Sequence, residues 1–419
     1  MDNYRCNSVG IVGAGIQGIS IGLQLIKKGI PVTIFDRNNP NNTDYREASY
    51  GNAGHFSPYS ALQFNRPDIL FNVPKMLFSS NGPLALKWNH VPKMFPWFLH
   101  FIKNCNKKSM LHTAKYMHQI LNLSLDAYEE IFKEIDVSDL VEKKGILYLW
   151  TNENLKSRNL EIKVRTHLGI KQQILTKEEV LDIEPKLNPI FDAGIFYEDS
   201  WHARDPKAIL KKIFDLYIKK GGKYKHEYVQ SIKQVAEKKT EIKTEKKIYN
   251  FEKIVLAAGA FSKKLTDQLD ENIPLETERG YHVHFKNMEG LISRPVVCLD
   301  RGFGMSPMNQ GLRAVGTVEL GGLKNPPSKK RINYIVKSAK ELLPELQSHN
   351  DEWLGFRPTL PDFLPILGPS LKNKNIVYAF GHHHLGWTLG AITGKIVSGI
   401  VAEEKTNLDL SPYSSKRFN

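Results

Sequence analysis

Near the start of the chain, two apolar runs flank a glycine turn and a helical pattern. Val9–Val12 is apolar and is followed by the turn GAGIQG. Between Ile16 and Lys28 the apolar positions recur with the period of a helix, and Val32–Phe35 is apolar again and closes on Asp36. This order predicts a strand, a glycine turn, a helix and a second strand.

The glycine turn has the spacing of a dinucleotide-binding site. Gly13 permits a tight turn, Gly15 lets a pyrophosphate approach the backbone, and Gly18 lets the helix pack on its strand. The N-terminus of the helix then faces the phosphates, and Asp36 can accept hydrogen bonds from the ribose. The motif alone suits FAD and NAD equally.

A later apolar run favours FAD over NAD as the cofactor. Phe251–Ser262 reads as a strand that ends in small residues, and it lies more than two hundred residues after the glycine turn. Between them, the patterns predict a helix within 111–135, a strand at 145–150 and a helix that begins at Asp205. A nucleotide domain assembled from such distant segments is typical of an FAD-dependent oxidoreductase.

Composition narrows the class of protein. A chain of 419 residues with 41% apolar and 24% charged residues predicts a folded protein of about two domains. The net charge of +14 favours anionic partners, but the lysines are scattered, which indicates a solvated surface and no nucleic-acid partner. The three cysteines are far apart and predict neither a disulfide framework nor a zinc site. The uncharged run from Val9 to Ile26 is broken by glycines, so we expect a cytoplasmic protein without a membrane span.

Several longer pieces, in this order, resemble the D-amino-acid dehydrogenase group of the D-amino-acid oxidase family over nearly the whole chain. They are GAGIQG, ASYGNAGHFSP, SNGPLALKW, VLAAGAFS, LGFRPTLPDFLPILG and FGHHHLGWTLG. The last two pieces resemble D-hydroxyproline dehydrogenase-like members more than broad-specificity D-alanine dehydrogenases.

The resemblance implies an α/β fold with two interleaved domains. A Rossmann-like FAD-binding domain would be assembled from the discontinuous segments 1–60, 196–275 and 351–419. An α+β substrate domain, built on a mixed or antiparallel sheet, would comprise 61–195 and 276–350.

The implied activity is FAD-dependent oxidative deamination of a D-amino or imino acid. A hydride equivalent would pass from Cα to flavin N5, and the electrons would then reach a quinone or an electron carrier. One alternative is an oxygen-using oxidase that acts on glycine, sarcosine or a D-amino acid. Another is a flavin-binding subunit without catalysis of its own.

Three residues are candidates for contact with the substrate. Arg357, in the setting GFRP, matches the arginine that binds the substrate carboxylate in the family, since its planar fork can hold both oxygens. Tyr281 could line the pocket or be a core tyrosine. His55 could bond flavin or substrate or support the site from behind, and related D-alanine enzymes have a different polar residue there.

The resemblance also implies a set of cofactor contacts, among them Ser49 to the pyrophosphate and Thr388 to the pyrimidine edge of the flavin. The set is Gly13, Gly15, Gly18, Asp36, Arg37, Ser49, Asn52, Ala53, Gly54, Val229, Ala258, Gly259, Gly381, His382, Leu385, Gly386, Trp387 and Thr388. The adjacent histidines of FGHHHLGWTLG point in different directions, so we expect this stretch to contact the flavin rather than to bind a metal. Which of them reaches the substrate stays open.

One segment suggests contact with a membrane. Residues 75–108 are basic and include the aromatic cluster Phe95–Phe101. Such a segment could lie on the inner face of the cytoplasmic membrane, or it could be an amphipathic helix packed on the core.

Overall fold

The computed structural model describes residues 6–42, 46–70, 84–151 and 155–418. Lys75 and the first letters of SNGPLALKW fall in 71–83, outside the described residues. Within the described ranges, no helix combines the length and the apolar content needed to cross a bilayer.

The strands follow one another along the chain. They are β1 (Val9–Val12), β2 (Val32–Asp36), β3 (His55–Phe56), β4 (Leu84–Leu86), β5 (Val141–Glu142), β6 (Ile146–Trp150), β7 (Gln173–Thr176), β8 (Ala193–Tyr197), β9 (Trp201–Ala203), β10 (Lys223–His226), β11 (Val229–Ala236), β12 (Lys239–Thr244), β13 (Ile248–Phe251), β14 (Lys253–Leu256), β15 (Glu276–Phe285), β16 (Val296–Cys298), β17 (Phe303–Met308), β18 (Gly311–Leu320), β19 (Asp351–Thr359), β20 (Ile366–Pro369) and β21 (Ile376–Phe380). The α-helices are α1 (Ile16–Lys27), α2 (Val91–Asn104), α3 (Lys107–Leu121), α4 (Ser124–Phe132), α5 (Leu155–His167), α6 (Lys177–Ile183), α7 (Pro206–Lys219), α8 (Lys263–Thr266), α9 (Lys329–Leu342) and α10 (Gly386–Val401).

The first main sheet has the strand order β10-β2-β1-β14-β21-β20. In its centre, β1 pairs in parallel with β2 on one side and with β14 on the other. Every residue of β1 and β14 is buried, as expected for parallel strands that are covered on both faces. Helix α1 packs against α7 and α10, and the three share one apolar core with the sheet. The expected Rossmann-like domain, built from distant segments, is confirmed.

The second main sheet has the order β19-β15-β18-β17-β16-β6-β8-β7, and β4 also pairs with β18. Most neighbours are antiparallel, whereas β16 pairs in parallel with β6, and β4 in parallel with β18. Helix α9 packs against β15, β17 and β18. We call this sheet the mixed sheet, and it agrees with the expected mixed or antiparallel sheet.

Two strands depart from the domain boundaries that the sequence suggests. The sequence assigns 351–419 to the FAD-binding domain, but β19 pairs along its whole length with β15 of the mixed sheet. The boundary at 195 falls inside β8, which pairs with β6 and β7. A strand joins the sheet that satisfies its backbone donors and acceptors, whatever its position along the chain. By hydrogen bonding, both strands belong to the mixed sheet.

Candidate active site

A cleft of about 1010 Å³ is lined by residues from both main sheets. It includes the turns that follow β1, β2 and β14 at their carboxyl ends, where open α/β sheets bind ligands. It also includes residues of β15 and β19 from the mixed sheet. The glycine turn and the candidate carboxylate anchor therefore share one cleft.

The glycine turn has the geometry that its spacing predicts. Gly13 has a φ of 112°, a left-handed value that would strain a residue with a side chain. A Cβ at Gly18 would lie 1.9 Å from the Gly13 carbonyl oxygen, so α1 packs directly on the turn. Gly15 caps α1, whose first turn has no acidic residue. The positive end of this helix dipole is therefore available to an anion.

The hydroxyl of Ser49 lies at the same helix end. Its Oγ accepts a hydrogen bond from the Ile16 N–H at 3.0 Å, and the residue also lines the cleft. The hydroxyl thus satisfies one of the backbone donors that a helix start leaves open. Its contact with a pyrophosphate stays a prediction.

The carboxylate of Asp36 is bound to the backbone of the glycine turn. Oδ2 accepts from the Ala14 N–H at 2.6 Å, and Oδ1 accepts from the Asn38 N–H at 2.9 Å. Desolvation raises the pKa of Asp36 to about 6, although these hydrogen bonds lower it. Arg37 lies over the ring of Phe261, 4.0 Å from its centre. Asp36 and Arg37 both line the cleft.

Two side chains of the mixed sheet hold the loop that lines the cleft at Asn52 and Ala53. Arg313 Nη1 donates to the Asn52 carbonyl oxygen at 2.8 Å. His282 Nδ1 lies 2.9 Å from the Gly51 carbonyl oxygen, and since that oxygen can only accept, Nδ1 carries the proton. Sequence reasoning missed both contacts, because β15 and β18 are remote in sequence from this loop and no motif marks them.

His55 supports the same loop from behind and is not among the residues that line the cleft. Its Nε2 lies 2.7 Å from Ser306 Oγ, whose hydroxyl donates to the Ala53 carbonyl oxygen at 2.9 Å. Because the Ser306 proton is used in that bond, Nε2 is the donor to Oγ. Burial lowers the pKa of His55 to about 3, so the ring is neutral at pH 7. This geometry corresponds to the supporting alternative rather than to direct contact.

Tyr281 lines the cleft, but its hydroxyl belongs to a buried polar network. The hydroxyl donates to Glu319 Oε1 at 2.8 Å and accepts from the Ser328 N–H at 3.1 Å. Glu319 is also paired with Arg279 at 3.1 Å. These contacts correspond to the core-tyrosine alternative.

Arg357 lines the cleft from β19. Its Nη1 donates to the Thr317 carbonyl oxygen at 3.2 Å. A Cβ at Gly280 would lie 2.4 Å from Nη2, so the guanidinium needs glycine at that position on the neighbouring strand. Glu278 is opposite Arg357 in the strand register. Desolvation lowers the pKa of Arg357, and the charge of Glu278 raises it.

The three adjacent histidines differ in their surroundings. His382 and His383 are buried, with His382 Nε2 bonded at 3.0 Å to a threonine of α10 and His383 stacked on Phe363. His384 is exposed and lines the cleft. The walls of the cleft desolvate its imidazole and lower its pKa to about 4, and the charge of Arg357 lowers it further. His382 and His383 also line the cleft, but His384 is the exposed one of the three and lies within electrostatic range of Arg357.

The other predicted cofactor residues fall into two groups. Those that line the cleft, besides Asp36, Arg37 and Ser49, are Gly13, Gly15, Asn52, Ala53, Val229, Ala258, Gly259, His382, Gly386 and Trp387. Those that lie outside the lining are Gly18, Gly54, Gly381, Leu385 and Thr388. The Thr388 hydroxyl accepts from the Ser57 N–H at 3.0 Å and donates to the His55 carbonyl oxygen at 3.2 Å. Its bond to a flavin stays a prediction.

The donors of the cleft suit a flavin dinucleotide. The N-termini of two long helices meet the lining, α1 at Gly15 and α10 at Gly386, and neither helix has an acidic residue in its first turn. One positive helix end suits a diphosphate, and the other suits the negative charge of a reduced flavin. The residues present therefore fit FAD.

Comparison with known proteins gives the same cofactor. A family described as "FAD dependent oxidoreductase" (DAO) matches residues 8–400. The chain is 31% identical to a D-amino-acid oxidase from Bradyrhizobium diazoefficiens, over 98% of each protein. It is 27% identical to a D-amino acid dehydrogenase from Paramagnetospirillum magneticum, over 97% of this chain and 98% of that protein. Its fold is similar to that of glycine oxidase from Geobacillus kaustophilus, with a TM-score of 0.75 at 20% identity over 99% of each chain.

The family match covers nearly the whole chain, including both main sheets and the residues of the cleft. The protein therefore belongs to the DAO family of FAD-dependent oxidoreductases, with FAD as its cofactor.

Proposed function

We propose that the protein oxidises a D-amino acid or a D-imino acid at Cα, with D-hydroxyproline as the first substrate to test. Bound FAD supplies the acceptor for the hydride equivalent that leaves Cα. For an amino acid, water then hydrolyses the imine to a 2-oxo acid and ammonia. The relatives named D-amino-acid oxidase and D-amino acid dehydrogenase support this substrate class.

The observation that carries the proposal is the position of Arg357 in the cleft. A planar guanidinium binds a carboxylate through two parallel N–H···O bonds. Arg357 lies over the backbone of Gly280, so its fork is held against a strand rather than on a flexible loop. An anchored carboxylate would fix Cα relative to the flavin, and such orientation lowers the barrier.

The neighbouring histidine is suited to the substrate amine. The lowered pKa of His384, about 4, keeps its imidazole neutral at pH 7. A neutral ring can accept a hydrogen bond from the amine without adding a second positive charge beside Arg357. In this proposal the ring of Tyr281 forms part of the pocket wall, and His55 supports residues 51–53, which we call the cofactor loop because we expect them to contact FAD.

We propose a quinone or an electron carrier as the electron acceptor. Relatives named D-amino acid dehydrogenase support this choice. Oxygen is the second candidate, and the 31% identical D-amino-acid oxidase favours it.

The surface of α2 supports contact with the inner face of the cytoplasmic membrane, where a quinone would be reached. One face of this helix is buried, whereas Phe95, Leu99 and Ile102 are 61%, 54% and 54% exposed. Their spacing places these three side chains on one face. Lys93 and Lys103 are also exposed on the helix. An apolar face with basic neighbours suits an anionic lipid surface.

Anaerobic bleaching of the flavin tests the substrate class. The FAD-loaded protein would be mixed with a panel of D- and L-amino acids that includes both hydroxyproline epimers, and the absorbance of the oxidised flavin would be followed. We expect bleaching by D-enantiomers and by one hydroxyproline epimer. If no amino acid in the panel bleached the flavin, or if only L-enantiomers did, the proposal would be refuted.

A second measurement identifies the acceptor. During turnover with an active substrate, peroxide formation in air is compared with reduction of a quinone analogue without oxygen. Quinone reduction with little peroxide is the expected result, and rapid peroxide formation without quinone reduction would support the oxidase.

A further inference from the structure

The segment 411–418 is bound to the loop that follows β19. Arg417 Nε and Nη2 contact the carboxylate of Asp362 at 2.5 and 3.4 Å. Nη2 also donates to the carbonyl oxygens of Leu364 at 2.6 Å and Pro365 at 3.3 Å. One guanidinium therefore fixes both the side chain and the backbone of this loop.

The loop carries one member of a strained pair. Phe363 has a φ of 63° and His383 has a φ of 52°, left-handed values that are costly for residues with side chains. Their rings stack with centroids 4.7 Å apart and planes 22° apart. We call these two residues the stacked pair. Strained backbone of this kind persists only where its surroundings hold it, and it concentrates at functional sites.

The stacked pair lies next to the substrate end of the cleft. His383 directly precedes His384, so the backbone angles of His383 set the direction in which His384 leaves the chain. Burial lowers the pKa of His383 most strongly, and the positive charge of Arg417 lowers it further, so Arg417 lies within electrostatic range of this ring. A continuous set of contacts thus connects Arg417 to a side chain of the cleft.

We propose that Arg417 is a positioning residue that, through the stacked pair, holds His384 beside Arg357. The inference rests on the proposed function, in which Arg357 binds the substrate carboxylate and His384 meets the amine. Arg417 itself touches neither group, so it acts on the position of His384 and not on the chemistry.

The test compares variants of Arg417 with a matched control on the same segment. Arg417→Met removes the fork, and Lys416→Met removes the same charge from an exposed neighbour. In the FAD-loaded protein, we expect Arg417→Met to lower kcat/KM for a D-amino acid about tenfold, because a small misplacement of a contacting group is enough for such a loss. Lys416→Met should leave kcat/KM unchanged, and both variants should keep the Kd for FAD. Arg417→Lys keeps the charge but not the fork, so it should restore only part of the loss.

His383→Asn shows whether the effect passes through the stacked pair. Asparagine accepts a left-handed φ more readily but removes the ring contact. If Arg417 acts through the pair, Arg417→Met should lower kcat/KM less in the His383→Asn background than in the native one. The same tenfold loss in both backgrounds, or a lower Tm with unchanged kcat/KM, would overturn the proposal. If Arg417→Met does not fold, Arg417→Lys takes its place in the same comparison.

A ligand without an amine separates this inference from the proposed function. Propionate has the carboxylate of D-alanine but lacks the amine, and its Kd can be read from the change in flavin absorbance. Arg357→Met should weaken propionate binding, whereas Arg417→Met should leave it unchanged. If Arg357→Met does not weaken binding, the proposed function fails. If Arg357→Met weakens it but Arg417→Met leaves kcat/KM intact, only the positioning role fails.

Discussion

Replacing Arg357 by methionine tests the proposed carboxylate anchor, since the substitution removes the guanidinium but keeps most of the apolar stem. A hydrogen bond to a charged group contributes about 1.5–3 kcal/mol. The two bonds of one fork are not additive, so we expect a total loss of about 3 kcal/mol. At about 1.4 kcal/mol for each factor of ten, kcat/KM should fall about 100-fold. Because the carboxylate is bound in the substrate complex and in the transition state alike, most of the loss should appear in KM.

The Arg357→Met variant should still fold, and its loss of stability relative to the native protein should depend on pH. Desolvation raises the pKa of Glu278, and the charge of Arg357 opposes that rise. Without Arg357 the pKa of Glu278 should rise further. A buried carboxyl with a raised pKa binds more protons in the folded state, so stability falls as the pH rises from the unfolded pKa through the folded one. The Tm of the variant, relative to the native protein, should therefore fall more at about pH 8 than at about pH 5.

The assay is steady-state turnover of the FAD-loaded variant at varied concentrations of a D-amino acid, together with a Kd for FAD. Arg294→Met is the matched control, since this arginine pairs with Glu184 at 3.4 Å and does not line the cleft. The control should keep its KM, and both variants should bind FAD as the native protein does. An unchanged KM in Arg357→Met would refute the anchor, and loss of FAD would show that the arginine serves the cofactor instead.

Three further predictions follow from single contacts. The pKa of Asp36 is raised to about 6, and its ionised form is the better acceptor for ribose hydroxyls, so the Kd for FAD should decrease between about pH 5 and about pH 7. Asp36→Asn should remove that dependence in a fluorescence titration. Gly280→Ala places a Cβ 2.4 Å from Nη2 of Arg357, so KM should rise while Tm changes little. Gly368→Ala is the control, because a Cβ there has nothing within 4 Å, and it should change neither KM nor Tm. Tyr281→Phe removes both hydrogen bonds of the hydroxyl, which should cost about 1–3 kcal/mol of unfolding free energy and leave KM unchanged. A raised KM would show that the hydroxyl meets the substrate.

The sequence predicted the parts of the site that depend on short-range geometry. A strand, a glycine turn and a helix must follow one another within a few residues, so Gly13, Gly15 and Asp36 could be located from spacing alone. Arg357 was located by the resemblance of its setting, and the structure places it in the same cleft. The end of the cleft at the glycine turn was therefore the more predictable one.

Contacts between segments that are remote in sequence were not predictable in this way. The bonds from Arg313 and His282 to the cofactor loop depend on how the mixed sheet lies against that loop, and alternation along a strand gives no information about this approach. The adjacent histidines show the same limit. His383, which directly precedes the exposed His384, has a left-handed φ, an angle that only the surrounding packing maintains.

The membership of β19 in the mixed sheet bears on the proposed role of Arg357. Arg357 is on β19, and its neighbour β15 carries His282, which bonds the Gly51 carbonyl oxygen in the cofactor loop. The proposed substrate anchor and one of the contacts that hold the cofactor loop are thus on paired strands. Their separation is fixed by the strand register, in which Glu278 faces Arg357 and His282 faces Trp353. A shift of one residue would turn Arg357 to the opposite face of the sheet. The proposed position of the substrate relative to residues 51–53 therefore depends on the pairing of β15 with β19 as well as on how the mixed sheet lies against that loop.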